Sequence, residues 1–377
     1  MEETKSNPQT HPNDQSRNTK IRRKSHHLPE EIIAEILARL PVRSLLRFRC
    51  VSQSWRRLIS SRHFCDAHLQ ISSKDPNFSR RRAIATVLLP FYTLKQCSLH
   101  SLLLGPAADA ADLDYPMKNP RNSIRVVGCC NGLVCIAVNG KHFFLWNPST
   151  KRHKKLADAD DRMKSGLFIT KYGFGFDETN DDYKVLGILS GFCNSGRYES
   201  VVKIYSLRRD SWKVIDAFKD GLPFDDNGKF VSGKLHWGRR FGMESKWDIV
   251  CLDLGSESCV SVNQPSYLDG GFIPSLGVIW GSLCVMCDFP KVSVDVWVLK
   301  DSWMKLVVLP YFDDPWKGPY STPLCIGGKG EILLVYGSAF IVYNPKQASF
   351  RRPKITNIGT FLEADVYVES LVPLDGY

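Results

Sequence analysis

"LPEEIIAEILARLPVRSLLRFRCVSQSWRRLI" occupies residues 28–59 and is unlike the rest of the chain. Its apolar residues recur at intervals of three and four, which is the spacing of one face of an α-helix. Pro29, followed by two glutamates, predicts the start of a first helix, and Pro41 predicts its end. Ser52 is a candidate N-cap for a later helix. The pattern therefore predicts a small unit of short helices over residues 28–70.

This helical unit has more large apolar side chains than its own helices can cover. A unit of roughly 40 residues rarely builds an adequate core by itself. An apolar face left open on such a unit marks an interaction surface. The surplus predicts that either the rest of the chain or a separate protein covers one side of the unit.

From about residue 83 the apolar pattern changes to period two, with Gly, Asn, Pro and Asp clusters between the runs. The pattern also repeats. Gly233, Gly281 and Gly330 begin similar strands and are spaced 48 and 49 residues apart, and Gly132 lies 101 residues before Gly233. A period of roughly 45–50 residues with four strands in each unit is typical of the blades of a β-propeller.

Five such units are visible between residues 126 and 355, and a sixth could be closed by pairing the last strand, 367–374, with the first, 82–104. Closure of this kind removes the exposed edges of an open sheet. The expected fold class is therefore α+β and multidomain: a small N-terminal helical unit followed by an all-β, propeller-like domain of about six irregular blades. A pair of β-sandwiches is the structural alternative. The expected organisation is a disordered basic tail at 1–27, the helical unit at 28–70, a linker at 71–82 and the β domain at 83–374.

The net charge of +11 is concentrated near the N-terminus. Residues 1–82 have 17 Lys and Arg against 8 Asp and Glu, whereas residues 83–377 have 33 against 31. This partition disfavours a phosphate-tracking groove on the β domain, so no nucleic-acid partner is expected, although tail-driven binding stays an alternative. No signal peptide or membrane segment is visible, so we expect a cytoplasmic or nuclear protein with no membrane partner. "KIRRK" (20–24) is either a nuclear import signal or a solvated basic tail.

No motif indicates catalysis, and no cofactor or metal is expected. "CVMC" at 284–287 has the spacing of a zinc knuckle, but residues three apart on a strand point to opposite faces. Two connections rich in aromatic residues, 239–247 and 310–323, are instead candidate interaction loops. Their candidate contact residues for a protein substrate are Phe241, Trp247, Tyr311, Phe312, Trp316 and Tyr320.

The helical unit closely resembles an F-box. The residues that match the family pattern are Leu28, Pro29, Glu30, Ile36, Leu37, Leu40, Pro41, Val42, Arg43, Ser44, Leu45, Phe48, Arg49, Cys50, Val51, Ser52 and Trp55. The remainder resembles the F-box-associated domain of plant F-box proteins, through segments such as "LWNPSTKR", "YGFGFDETNDDYKVLGI" and "YVESLVPL" in order. The two resemblances together cover residues 28–374.

The resemblance implies a non-catalytic subunit that recognises substrates for an SCF (Skp–cullin–F-box) ubiquitin ligase. A Skp-type adaptor would bind the F-box, a cullin scaffold would follow through that adaptor, and the propeller would hold an unknown protein substrate. The positions implied for adaptor binding are Leu28, Pro29, Ile32, Ile33, Ile36, Leu37, Leu40, Pro41, Leu45, Phe48, Val51 and Trp55. The alternative is a propeller-type ligand-binding protein or enzyme with an F-box-like accessory.

Overall fold

The computed structural model describes residues 28–158, 166–193, 198–218, 222–225, 227–240, 247–266, 271–311 and 320–374. The tail predicted at 1–27 lies outside these ranges. The described chain begins with four helices, which are α1 (Glu30–Ala38), α2 (Val42–Phe48), α3 (Gln53–Ser60) and α4 (Arg62–Ser73).

Local signals in the sequence determine where these helices begin. Pro29 lies directly before α1, and two glutamates occupy the first turn, where the helix dipole favours negative charge. The hydroxyl of Ser52 accepts a hydrogen bond from Trp55 N at 3.1 Å and caps α3 as predicted. Ser61 caps α4 in the same way. Helix α4 continues to Ser73, so the connection to the first strand is shorter than the linker predicted at 71–82.

The rest of the described chain is a six-bladed β-propeller. Its first elements are β1 (Arg81–Leu89), β2 (Thr93–Ser98), α5 (Leu99–Leu104), β3 (Ala107–Asp109) and β4 (Ala111–Asp112). The second and third blades are β5 (Ile124–Cys130), β6 (Leu133–Val138), β7 (His142–Asn147) and β8 (Arg152–Lys155), then β9 (Gly166–Asp177), β10 (Asp182–Cys193), β11 (Tyr198–Ser206) and β12 (Ser211–Ile215).

The fourth blade has a divided inner edge, and the fifth and sixth have four strands each. The fourth contains β13 (Leu222–Pro223), β14 (Lys229–Val231), β15 (Lys234–Arg240), β16 (Trp247–Asp253) and β17 (Cys259–Val262). The fifth contains β18 (Ile273–Ile279), β19 (Ser282–Phe289), β20 (Ser293–Leu299) and β21 (Trp303–Pro310). The sixth contains β22 (Cys325–Ile326), β23 (Ile332–Tyr336), β24 (Ala339–Asn344) and β25 (Ser349–Arg351), and the chain ends with β26 (Lys354–Thr356) and β27 (Thr360–Val368).

The first blade is closed by the last strand, which confirms the predicted six-bladed architecture against the sandwich alternative. Its strand order is β27–β1–β2–β4, and β27 is antiparallel to β1, with Arg82 opposite Tyr367. The predicted closing strand, 367–374, was placed too far downstream, because β27 ends at Val368. The residues after it leave the sheet and pack under the helical unit instead. Strand β26 pairs in parallel with β3 and adds a second link between the chain ends.

The repeated glycines lie in tight turns between the first and second strands of their blades. Gly132 and Gly281 have φ angles of +77° and +73°, and the residues before them, Asn131 and Trp280, also have positive φ. Two consecutive positive φ angles are typical of the type I′ hairpin turn, in which glycine avoids the clash of a Cβ atom. Ser232 and Gly233 have the same pair of positive φ angles, so the 48-residue spacing from Gly233 to Gly281 reflects one turn geometry in successive blades. Gly330 also has a positive φ, of +92°, but in a longer connection between β22 and β23.

The core lies between the blades, because side chains alternate between the two faces of each strand. On β19, Cys284 packs toward the sixth blade and Cys287 packs toward the fourth. Indole groups add links between neighbouring blades. Trp212 of the third blade donates from Nε1 to Ala157 O after the second, and Trp303 of the fifth donates to Asn263 O after the fourth, both at 2.6 Å.

Candidate protein-docking surfaces

The structure divides the twelve F-box positions into three groups by exposure. Leu37 and Leu45 are buried. Ile33, Leu40, Phe48 and Trp55 are half-buried. The exposed group consists of Leu28, Pro29, Ile32, Ile36, Pro41 and Val51, which we call the open apolar row. The sequence could not make this division, because all twelve residues follow the same helical spacing.

The open apolar row is unusually accessible for aliphatic side chains. Leu28, Ile32 and Ile36 are 56%, 44% and 49% exposed, and they recur every four residues. Residues four apart in a helix lie on one face, so Ile32 and Ile36 form an apolar strip on α1, and Leu28 lies just before the start of the helix. Val51, in the turn before α3, is 62% exposed. Strips of this kind are typical of protein interaction sites.

The opposite side of the helical unit packs on the propeller. Phe64 and Cys65 of α4 are buried in one cluster with Leu371, which belongs to the segment after β27. The Cys65 thiol donates to Leu371 O at 3.5 Å. Val42 and Ile59 complete this core, although neither was among the predicted sites. The propeller thus covers the α4 side, whereas the open apolar row stays accessible.

Two buried polar side chains of α4, His68 and Ser72, link it to the C-terminal end of α1. His68 is fully buried, and its Nε2 lies 3.0 Å from Leu40 O, which requires the tautomer with hydrogen on Nε2. Burial lowers the pKa of His68 below its usual value, so the ring is neutral near pH 7. Arg80 donates to Ser72 Oγ at 2.9 Å and to Ala38 O at 3.4 Å. These contacts hold the helical unit in one orientation.

The segment under the helical unit is itself anchored to the second blade. Asn147 is fully buried and donates to Ser370 O at 3.2 Å and to Val372 O at 3.0 Å. The amide oxygen of the same side chain, Oδ1, accepts a hydrogen bond from Ser149 N at 2.9 Å, which forms an Asx turn at the end of β7. One asparagine therefore closes a blade turn and anchors the base of the helical unit.

The described ends of both candidate substrate loops lie at the end of the propeller away from the helical unit. Successive antiparallel strands alternate in direction, so the turns after the first and third strands of a blade lie at one end. Gly132 and Asp181 mark that end, since Gly132 abuts Ser370 and Asp181 forms an ion pair with Arg62 of α4. The connection 239–247 joins the second and third strands of the fourth blade, and 310–323 joins the fifth blade to the sixth. Their described ends therefore lie at the other end of the propeller, which we call the far face.

The described residues of these loops are anchored rather than free-standing. Trp247 packs edge-on against Phe224 and Phe272, with ring centroids 5.9 and 6.3 Å away. The Tyr311 hydroxyl donates to Asp288. Tyr320 is only 5% exposed and donates to Pro310 O at 2.9 Å. Tyr320 thus supports its loop from within, which corrects the expectation that its ring is presented to a partner.

Phe241, Phe312 and Trp316 lie outside the described residues, so their role in substrate binding stays a prediction. The sequence reading missed two exposed apolar residues on the far face. Phe91, in the turn between β1 and β2, is 60% exposed, and Val292, between β19 and β20, is 74% exposed. The proline of "LLPFY" could have indicated the exposure of Phe91, because it interrupts the segment 82–104 that was predicted as one strand.

A cavity of about 550 Å³ runs along the propeller axis and is lined by both apolar and polar side chains, Thr86, Asn227 and Asp365 among the latter. Its size lies within the range of roughly 300–1,000 Å³ that is common for small-molecule sites. Burial and the nearby Asp365 raise the pKa of the Cys129 thiol well above its usual value, so this thiol is protonated. The alternative of a propeller-type ligand-binding protein or enzyme would use this cavity as its site, and it stays a prediction.

Within the described ranges, no group of three metal-ligating side chains converges on one point. None of the helices in those ranges is long and apolar enough to cross a bilayer.

The fold and the open apolar row together define a class of protein: a β-propeller that carries an N-terminal helical docking unit. The family model of the F-box associated beta propeller domain matches residues 89–371, and that of the F-box domain matches residues 25–66. The chain belongs to the F-box proteins with an F-box-associated propeller domain.

Over most of its length the chain is similar to F-box proteins of a plant. The chain is 32% identical over 358 residues to the F-box/kelch-repeat protein At3g23880 of Arabidopsis thaliana, with 92% of this chain and 96% of that protein covered. It is 26% identical over 377 residues to F-box protein CPR1 of the same plant, with 92% and 88% covered. Among solved structures, TolB from Acinetobacter baumannii aligns over 81% of this chain and 72% of its own, with a TM-score of 0.46 and 10% identity.

Proposed function

We propose that this protein is the substrate-recognition subunit of an SCF-type ubiquitin ligase, and that a Skp-type adaptor covers the open apolar row. One observation carries the proposal. The propeller packs on the α4 side of the F-box and leaves Ile32 and Ile36 exposed on one face of α1, with Leu28 exposed just before the helix. An amphipathic helix that offers residues at four-residue intervals is a common way to fill an apolar groove.

The exposed prolines extend this surface at both ends of α1. Pro29 precedes the helix, and Pro41 follows it. Proline has a fixed φ angle and therefore loses little conformational entropy when a partner orders the surface. The half-buried residues Ile33, Leu40, Phe48 and Trp55 connect the row to the core of the unit. Phe48 and Trp55 pack edge-to-face with centroids 5.6 Å apart, which holds the lower part of the surface rigid.

The function then depends on proximity rather than on catalytic groups of this chain. A cullin, bound through the adaptor, would bring a ubiquitin-charged conjugating enzyme near a protein substrate held on the far face. Holding two reactants together raises their effective concentration without any group that touches the reacting bond. Because the helical unit is fixed to the propeller, the far face points away from the adaptor. The compartment we propose is the cytoplasm or nucleus, where such complexes act.

The adaptor part of the proposal is tested by co-purification. The full chain and the Leu28→Ala/Pro29→Ala variant are each co-expressed with a Skp-type adaptor, and the recovered adaptor is quantified. We expect strong recovery with the native chain and a large loss with the variant. A control, Phe91→Ala, truncates an exposed apolar residue on the far face. Equal recovery in all three samples, or none with the native chain, would show that the open apolar row does not bind the adaptor.

The substrate part needs a separate experiment. Proximity labelling under proteasome inhibition compares the native chain, an F-box deletion and a far-face variant, Phe91→Ala/Val292→Ala. We expect substrates to accumulate with the F-box deletion, since they still bind but are no longer modified. The same proteins should be depleted with the far-face variant. Substrates that are labelled equally by the native chain and the far-face variant would place their binding site elsewhere.

A further inference from the structure

The cavity along the propeller axis, which we call the axial cavity, differs in charge between its two ends. Arg81, at the start of β1, lines it at the end nearer the F-box. Among the described residues of its wall, the carboxylates are Glu363 and Asp365, both on β27. Arg81 lies opposite Val368, three residues beyond Asp365, so these carboxylates are about 10 Å or more farther along the axis. The F-box end of the cavity therefore has a guanidinium group, whereas the acidic groups lie deeper.

Arg81 is half-buried, and its printed contacts within the described chain are with neutral groups. It donates to Ser73 O, and its guanidinium carbon lies 5.2 Å from the centroid of the Phe78 ring. Its Nε is buried and has no hydrogen-bond partner. Burial lowers the pKa of Arg81, and the charge of Asp75 opposes this only in part. A buried positive charge is unfavourable unless an anion pairs with it, so this end of the cavity is suited to an anionic group.

Aromatic side chains form much of the wall around this guanidinium. Phe78, Phe174, Phe230 and Trp280 all line the axial cavity. Phe78 and Phe174 are buried, whereas Trp280, in the turn between β18 and β19, is 52% exposed. Aromatic rings attract one another through their quadrupoles in addition to the area that they bury. This wall therefore favours a ligand that contains a ring.

The backbone of Trp280 has a conformation that a bulky residue rarely adopts. Its φ is +53°, and the corresponding turn residues of the second and fourth blades are Asn131 and Ser232, with φ angles of +51° and +46°. Asparagine tolerates this conformation well, whereas a large side chain there is uncommon. Lys300 lies over the indole, 5.4 Å from the ring centroid. A strained and exposed tryptophan beside a cavity indicates a role in binding rather than in folding.

We propose that the F-box end of the axial cavity binds a small carboxylic acid that carries an aromatic ring. The carboxylate would pair with Arg81, because a guanidinium group can donate two parallel hydrogen bonds to its oxygens. The ring would pack on the aromatic wall that ends at Trp280. The cavity volume of about 550 Å³ lies within the roughly 300–1,000 Å³ that is usual for small ligands.

The ligand would contact elements that are distant in the chain. Ser73 ends α4, Arg81 begins the first blade, and Trp280 belongs to the fifth blade. A molecule that binds only this folded arrangement stabilises it by mass action. The site is separate from the open apolar row, so its occupation can be tested without an adaptor or a protein substrate.

The test uses the full chain, titration calorimetry and thermal melts. The probes are naphthoate and its uncharged analogue naphthamide, with benzoate and cyclohexanecarboxylate as a second pair. We expect saturable binding of naphthoate, a melting temperature that rises with its concentration, and an affinity at least about tenfold weaker for naphthamide. Benzoate should bind more tightly than cyclohexanecarboxylate, because only benzoate has an aromatic ring.

Three variants locate the binding site. Arg81→Gln should bind naphthoate at least about tenfold more weakly and should no longer prefer it to naphthamide, because the charge is lost. Arg80→Gln is the matched control, since Arg80 is also half-buried but donates to Ser72 Oγ and does not line the cavity. Its affinity should stay within about threefold of the native value. Trp280→Asn, which gives this turn the residue of the second blade, should keep the fold and bind naphthoate about fivefold more weakly.

Several results would overturn the proposal. They are the absence of saturable naphthoate binding, equal affinities of the native chain for naphthoate and naphthamide, and equal losses in Arg81→Gln and Arg80→Gln. Unchanged affinity in Trp280→Asn, or equal binding of benzoate and cyclohexanecarboxylate, would overturn the assignment of a ring to the aromatic wall. If Arg81→Gln does not fold, the comparison of acid with amide and the Trp280→Asn variant still decide the question.

Discussion

The exposure of Ile32 and Ile36 on α1 allows the contribution of this face to adaptor affinity to be estimated. Ile32 and Ile36 are 44% and 49% exposed, so about half of each side chain is still available to be buried by a partner. Ile→Ala removes three carbons, which contribute about 2.4 kcal/mol when fully buried, at about 0.8 kcal/mol each. Half of that, for two residues, is about 2.4 kcal/mol of lost binding free energy. We therefore expect the Ile32→Ala/Ile36→Ala variant to bind a Skp-type adaptor about 50-fold more weakly.

The assay is a titration of purified adaptor against the full chain, with the dissociation constant measured at equilibrium. The matched control is Ile71→Ala/Ile273→Ala, which deletes the same atoms from side chains that are 39% and 56% exposed. Ile71 lies on α4 and Ile273 lies at the start of β18, so neither belongs to the open apolar row. Both variants also lose some folding free energy, because the buried half of each isoleucine is removed, and thermal melts of both measure this loss.

Two results would refute this reasoning. One is a loss of less than about threefold for the Ile32→Ala/Ile36→Ala variant, which would mean that the strip contributes under about 0.7 kcal/mol. The other is an equal loss in the control, which would show that general destabilisation rather than a lost contact weakens binding.

Three further predictions concern how the F-box is held on the propeller. Gly132→Ala should cost about 3 kcal/mol or more in unfolding free energy, because the new Cβ would clash with Ser370 and lie 2.6 Å from Val368 O at a positive φ. Gly281→Ala, where φ is similar but no atom lies within 4 Å of the new Cβ, should cost only about 1–2 kcal/mol. Urea titrations measure both losses, and equal values would contradict the close approach of Ser370 to Gly132. Asn147→Ala should lower the free energy of unfolding by about 3 kcal/mol, since it leaves two carbonyls and a turn unpaired. Asn344→Ala loses only a partly exposed Asx turn and should lower it by about 1 kcal/mol. Similar urea midpoints for the two variants would contradict the anchoring role of Asn147. His68 has a lowered pKa in the folded state, so the unfolded state takes up the proton more readily and stability should decrease as the pH falls below about 6.5. His68→Gln, which keeps a donor for Leu40 O, should show a smaller fall in melting temperature between about pH 7.5 and 5.5, and an unchanged fall would assign the titration to other groups.

Local chemistry made much of the fold predictable. The caps and prolines of the F-box gave the positions of its helices, because Ser52 and Pro29 affect only the backbone within a few residues of their own positions. The spacing of Gly233, Gly281 and Gly330 gave the blade repeat, because each glycine has the positive φ angle that its turn requires. The opposite directions of Cys284 and Cys287 followed from the alternation of a strand.

The misplaced closing strand is a feature that local sequence patterns could not predict. "YVESLVPL" is rich in apolar and β-branched residues, as strands are, yet only its beginning pairs with β1. Ser370 and Val372 are held instead by Asn147, which lies more than 220 residues earlier, and Leu371 is buried against α4. No pattern within the segment could reveal that a distant amide and the F-box compete successfully with the sheet.

The sequence by itself determined that the F-box has too much apolar surface and that the rest of the chain repeats with the period of a propeller blade. Only the tertiary structure decided which apolar residues are left over. Leu37 and Ile36 are neighbours in one helix, but the first is 2% exposed and the second 49%. The physical reason is that exposure depends on where α4 and Leu371 pack, and those contacts join residues that lie far apart in the chain. The nearness of Arg152 to Arg49 has the same origin, since the first lies on β8 of the second blade and the second lies in the F-box.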